Sequence, residues 1–227
     1  MNAKIAVSIP ARTVCDARRM VRKAKQFGAD LAEMRLDYLN RGESLGELAR
    51  AEKMPLIATY RSRKTGGSRE VEQDRYVENL IVTAEEGFDY VDVQTGTRDL
   101  RYVVNKIHRL GSKTIVSHHD FQKTPTSAQL DAILRLCRAS GAGIAKIVTT
   151  ARKLEDNLRL LAFTQKASRH GRVICFGMGR FGTLSRILSP VYGAAFTFAS
   201  LDEENPVAPG QLSVRRMRRI YDEMGCT

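Results

Sequence analysis

"KTIVSHHDFQKTPTSAQLDAILRLCRASGAGIAKIVTT", Lys113–Thr150, reads as one complete strand–helix–strand unit. It opens on a short β-branched apolar run, "KTIVSH". A segment with 3.6-residue apolar periodicity follows, "SAQLDAILRLCRASG", and it stops on Gly141, a common helix-closing residue. A second apolar run, "GIAKIV", comes next. Two strands joined through a helix imply a parallel sheet.

The same unit repeats outward in both directions. Further strand candidates are "KIAVSI", "LAEMRL", "PLIATY", "DYVDVQ", "RVICFG" and "AAFTFA", which with the first two makes eight. Helix-like segments separate most of them: "VCDARRMVRKAKQFGA", "DRYVENLIVTAEEG", "LRYVVNKIHRLG" and "LEDNLRLLAFTQKASRHG". Eight such units in 227 residues match a (β/α)₈ TIM barrel near the small end of its size range. The competing arrangement is an open doubly wound sheet. No Pro/Gly/Ser-rich linker divides the chain, so residues 1–227 are expected to form one domain.

Bulk composition narrows the function classes. The chain is 43% apolar and 27% charged, enough to bury a core. "MNAKIAVSIP" lacks a basic segment followed by a long apolar one, so no leader is expected. No apolar run reaches the roughly 18 to 20 residues of a membrane span. Cys15, Cys137, Cys175 and Cys226 stand far apart without a CxxC pair. That spacing argues against a zinc site or a disulfide framework and favours the cytoplasm. The net charge of +12 suits a nucleic-acid-binding face, a surface that attracts a small anionic substrate, or a plain solvated basic surface. The basic residues are mixed with acids and not interleaved with aromatic rings, which favours the last.

In a barrel, chemistry sits at the C-terminal ends of the strands and in the loops beyond them. The first strand ends near Ser8. "EMRLD" carries Glu33, Arg35 and Asp37, which strict alternation would set on one face as either a structural ion-pair layer or a substrate site. The third strand runs to Arg61 and the basic, glycine-rich "SRKTGGS", read as a mobile surface loop or an anion-binding one. Asp92 and Gln94 lie on the fourth. His118 and His119 close the fifth, and neighbours along a strand point to opposite faces, so they are not expected to act as a pair or to share a metal.

Lys146 stands in the middle of the apolar sixth strand, where lysine is rarely buried without a reason. Desolvation and neighbouring cations would favour its neutral amine, a nucleophile toward ketones that can form a Schiff base. The bland alternative is a lysine whose stem packs while its amine reaches solvent. Gly177, Gly179 and Gly182 spell a GxGxxG after the seventh strand. It comes too late in the chain for a dinucleotide fold and reads as a close-approach loop presenting Arg186. "APGQ" places Gln211 just before the last helix.

With these residues in place, the chain resembles the type I 3-dehydroquinate dehydratases. The resemblance rests on "EMRLDYL", "IATYRS…GG", "VDVQ", "SHHDFQKTP", "AKIV", "GMGRFGTLSRI" and "FTFAS…APGQ", in that order over nearly the whole chain. It implies a Schiff-base barrel, a hydro-lyase of aromatic amino-acid biosynthesis (the shikimate pathway), commonly homodimeric, without metal or cofactor. Its partner would be the small-molecule substrate 3-dehydroquinate, with no nucleic acid and no membrane. The family's Schiff-base lysine falls on Lys146 and its general acid/base histidine on His119. The carboxylate-gripping arginine falls on Arg186. Further substrate contacts fall on Glu33, Arg35, Arg61 and Gln211, with Ser8 beside them. A histidine that serves as base and then acid is expected to titrate near neutrality, oriented by Asp92 or Glu33. The chain departs from the family's usual residues at Thr65 and Val207, both lid positions, at His118, and at Gln94. A class I aldolase-like barrel would also use Lys146, and a basic nucleic-acid-binding protein is the non-enzymatic alternative.

Overall fold

Eight strands alternate with eight helices in a computed structural model that describes residues 3–50, 53–204 and 206–226, with Lys64 described through its backbone alone. Met1 and Asn2, the start of the stretch read against a leader, lie outside the described residues. The order is β1 Ile5–Ile9, α1 Val14–Gln26, β2 Leu31–Arg35, α2 Leu45–Ala49, β3 Leu56–Thr59, α3 Gln73–Glu85, β4 Tyr90–Gln94 and α4 Leu100–Arg109. It continues with β5 Lys113–Asp120, α5 Ser127–Ala139, β6 Ile144–Thr150, α6 Glu155–Ser168, β7 Val173–Met178, α7 Thr183–Leu188, β8 Thr197–Ala199 and α8 Val214–Glu223. All pairings are parallel, in chain order from β1 to β7, with β8 on the free side of β1. A doubly wound sheet would reverse its strand order. Here the sequence of neighbours runs round a ring, and the Ala195 N–H donates to the Val173 carbonyl at 2.8 Å across the β7–β8 seam. The fold is a nearly closed, single-domain (β/α)₈ barrel. Among the described residues no helix is long and apolar enough to cross a membrane.

The opening unit shows why the sequence folds this way. Thr126 caps α5 with its hydroxyl on the Gln129 N–H, and Gln129 returns the bond to the Thr126 N–H, a closed capping box. Leu130, Leu134 and Cys137 turn inward onto β5 and β6. Gly141 ends the turn at φ 87°, which a side chain would resist.

Inside the barrel the strands carry two kinds of layer. Ala6, Leu31, Ile57, Tyr90, Ile115, Ile144, Ile174 and Phe196 form an apolar floor. Two residues further along six of the eight strands, the same inward phase brings Ser8, Glu33, Thr59, Asp92, Ser117 and Lys146, while β7 and β8 bring Phe176 and Phe198. The barrel therefore changes from apolar to charged within one side-chain layer, toward the C-terminal ends of its strands.

Candidate active site

Lys146 Nζ stands at the centre of the charged layer, with the residue 4% exposed. It donates to Asp92 Oδ2 at 3.0 Å, lies 3.5 Å from Glu33 Oε1, and sits 4.1 Å over the Phe198 ring. Its neighbours are thus carboxylates, where the sequence reading invoked cations. The amine does not reach solvent along the barrel wall; it is buried beside the two carboxylates.

Asp92 links that amine to the histidine. Its Oδ1 accepts from Ser117 Oγ at 2.5 Å and from Arg61 Nη2 at 3.2 Å. Arg61 Nη1 in turn stands 2.7 Å from Nδ1 and 2.9 Å from Nε2 of His119. A guanidinium only donates, so the nitrogen it bonds carries no proton and the imidazole is neutral. Burial, then the charges of Arg61 and Lys146, hold the His119 pKa well below the ordinary histidine value. This corrects the expectation of a histidine titrating near neutrality. The orienting group also differs: neither Asp92 nor Glu33 bonds the ring, and Arg61 carries Asp92's hold to it.

Glu33 accepts from Ser8 Oγ at 2.7 Å and Thr59 Oγ1 at 2.9 Å. Burial alone would raise its pKa. The Lys146 and Arg35 charges, the Ser8 bond and Arg61 outweigh burial and bring it down to about 2. Gln211 closes the far side. Its Oε1 accepts from the Val207 and Ala208 N–H groups at 2.9 and 3.0 Å, and its Nε2 donates to Ser8 Oγ at 3.3 Å.

Arg186 is the anomaly. It is 1% exposed, stacks 4.4 Å over Phe176, and among the described residues bonds only the Phe198 and Pro209 carbonyls, at 3.4 and 3.5 Å. Its Nε is buried without a hydrogen-bond partner among the described residues. Burial lowers its pKa to about 10, with Glu33 offsetting part of that. A buried cation with vacant donors is built to receive an anion, and the planar guanidinium suits a carboxylate. The glycines ahead of it serve close approach, as read. A Cβ on Gly182 would lie 2.4 Å from the Gly177 carbonyl carbon, and one on Gly210 would lie 2.5 Å from the Gly179 oxygen.

All eight residues singled out for the site, Lys146, His119, Ser8, Glu33, Arg35, Arg61, Arg186 and Gln211, line one cavity of about 140 Å³. Thr65 and Val207 also line it, while Gln94 does not. Asp37 is a correction. β2 ends at Arg35, so the alternation stops before Asp37, which lies fully buried in the following turn and pairs with Arg35 outside the cavity. His118 points away from His119, toward Thr95 Oγ1 at 3.2 Å, and is half-buried. Sequence reasoning missed the cavity's aromatic and apolar wall: Phe121, Phe176, Met178 and Phe198. Strand phase could have found Phe176 and Phe198, since both fall on inward positions in the upper half of the barrel.

The model of the family described as type I 3-dehydroquinase matches residues 5–226. A 3-dehydroquinate dehydratase of Dehalococcoides mccartyi is 36% identical over 197 residues, covering 87% of each chain. One from Thermococcus onnurineus is 36% identical over 210 residues, 92% of this chain and 94% of that one. Among solved structures, the 3-dehydroquinate dehydratase of Aquifex aeolicus superposes with a TM-score of 0.82 at 30% identity, over 97% of this chain and 98% of that one. The type I enzyme of Clostridium difficile, solved with covalent modified comenic acid, gives 0.87 at 26% identity, over 98% and 92%. A family match along almost the full length, on a barrel whose one cavity gathers all eight residues singled out for the site, leaves one assignment: the chain belongs to the type I 3-dehydroquinase family.

Proposed function

We propose that the protein is a 3-dehydroquinate dehydratase that converts 3-dehydroquinate to 3-dehydroshikimate through a Schiff base on Lys146. One observation carries the reading: a buried lysine amine and a neutral buried histidine share a small cavity with an arginine that lacks an anionic partner. The activity of the relatives supports the substrate, a cyclic β-hydroxy ketone bearing one carboxylate. Arg186 receives that carboxylate.

Lys146 Nζ, as the free amine, adds to the ketone carbon, and the ketone oxygen leaves as water to give an iminium, taking one proton from the amine and one from solvent that the closing hydrolysis returns. The cationic nitrogen acidifies the adjacent C–H. His119, neutral as Arg61 holds it, takes that proton. The resulting imidazolium, disfavoured beside Arg61, returns the proton to the departing β-hydroxyl, which leaves as a second water. Hydrolysis of the conjugated iminium frees the product and restores the amine. None of these steps calls for a metal or a cofactor. The same reading carries a cytoplasmic homodimer, whose mass light scattering measures.

Borohydride added with 3-dehydroquinate is expected to trap a reduced adduct on the Lys146 peptide, read by mass. His119→Ala is expected to lower turnover by on the order of 10²-fold or more, followed through the absorbance of the conjugated enone product. An unmodified Lys146 peptide, or normal turnover in Lys146→Ala, sinks the mechanism. Aldehyde release in a retro-aldol assay would move the chain to the aldolase-like reading.

A further inference from the structure

We propose that Asp37, which lies outside the cavity, is a positioning residue that locks both Arg35 and the 62–69 loop against the substrate. Its carboxylate is wholly buried and accepts from Arg35 Nε at 3.0 Å and Arg35 Nη2 at 2.9 Å. The same Oδ2 also accepts from the Ser68 backbone N–H at 2.9 Å. Ser68 Oγ donates to the Asp37 carbonyl, so the loop meets Asp37 at two points. Arg35 closes the circuit by donating from Nη2 to the Gly66 carbonyl at 3.2 Å.

The loop held this way is cavity wall. Thr65 and Gly66 line the cavity, and Gly66 packs toward Phe121, the ring next to His119. The loop is also folded tightly on itself. Gly67 N–H donates to the Ser62 carbonyl at 2.8 Å, and a Cβ on Gly67 would fall 1.7 Å from the Arg61 carbonyl oxygen. A turn that starts at Arg61 and is pinned on Asp37 through Ser68 therefore joins the cavity wall at Thr65 and Gly66, together with Arg35, to one buried carboxylate. Burial works against the Arg35 charge, but the bonds and charge of Asp37 outweigh it and raise the Arg35 pKa above its ordinary value. Three N–H donors converge on two carboxylate oxygens. An amide of the same shape offers one oxygen and one NH₂, so Asp37→Asn must turn a donor either against Arg35 Nε or against Arg35 Nη2 and the Ser68 N–H together.

The contacts so positioned act on bound substrate before and during reaction alike, so their loss falls on KM rather than kcat. Asp37→Asn is expected to raise KM for 3-dehydroquinate about tenfold or more while kcat stays within about threefold, as for loss of a hydrogen bond to a charged group. Trypsin is expected to cut the native variant within the 62–69 loop at least severalfold faster than wild type, with the sites read by mass. Ser68→Ala, which leaves the Asp37–Arg35 pair intact, is expected to shift KM in the same direction by less, and the two changes together by less than their product. That second variant carries the test if Asp37→Asn does not fold. An unchanged KM overturns the proposal, whatever the melting temperature does, because it leaves Asp37 a structural carboxylate only. A fall in kcat at constant KM overturns it too. The kinetic arm rests on the dehydratase reading, whereas the digestion does not. If wild type shows no turnover, that reading fails, and loop cutting alone then decides: faster cutting upholds the anchor and equal cutting overturns it.

Discussion

Arg61 sets the state of His119 more directly than any carboxylate does. It can only donate, it lies within 2.9 Å of both ring nitrogens, and its charge is the second cause, after burial, of the depressed histidine pKa. Removing it relaxes that depression, so less of the histidine is in its basic form at a given pH. In Arg61→Ala the acid limb of kcat/KM is therefore expected to move to higher pH. Arg61→Lys, which keeps a cation, is expected to leave the limb closer to wild type. A limb unmoved in Arg61→Ala would mean that the arginine does not govern the base. The partnership was not legible in the sequence, since residues 58 positions apart declare nothing about each other. What could be read was the type of each group and its strand. The charged residues stood out because strands seldom bury them. Phe176 and Phe198 stayed hidden because an aromatic ring on a strand reads equally well as core.

At the scale of elements, legibility followed length. The long helices α1, α3, α4, α5 and α6 carry enough turns for their periodicity to show, and the expected segments overlie the observed ones. Helix α2 spans only Leu45–Ala49, little more than one turn, and gave no periodic signal. The alternation of β2 misled at Asp37 for a related reason: a period of two holds only while the strand lasts, and the chain turns after Arg35. The glycines after β7 were legible as a close-approach loop, and they have a consequence for Arg186. Helix α7 begins against the end of β7, where the Gly177 and Gly182 backbones touch. Gly182→Ala puts a methyl group 2.4 Å from the Gly177 carbonyl carbon, and backbone cannot yield as a side chain would. It is expected to cost about 1–3 kcal/mol of stability. It should also displace Arg186, four residues on, with a rise in KM. Melting temperature and KM measured together check it, and a variant that keeps both would show that the contact has room to spare.

For the whole molecule, the barrel topology made the site legible, because eight strands in chain order deliver all their C-terminal ends to one rim. The cost of that gathering was not legible, since it depends on how the charges pair. Placing His119 and Glu33 in a buried, cationic layer lowers both pKa values in the fold. A group depressed in the fold contributes stability that is complete above its unfolded pKa and is lost as pH falls toward its folded one. The His119 window therefore opens below about pH 6.5, and the Glu33 window below about pH 4.3, the latter closing near the folded value of about 2. One histidine that the fold keeps neutral can add at most about 1.4 kcal/mol per pH unit to the slope. His118, depressed by burial against the pull of Asp120, adds to the same window. Urea unfolding midpoints followed from pH 7.5 to 3 are accordingly expected to fall in two stages in wild type. His119→Gln should shallow the stage between about pH 6.5 and 5 without abolishing it, because His118 remains. Glu33→Gln should leave that upper stage and flatten the lower one, although its absolute stability drops where Lys146 loses a partner. The slopes, not the levels, carry the comparison. A His119→Gln protein that loses stability as steeply as wild type over the upper stage would show that the fold does not hold this histidine neutral.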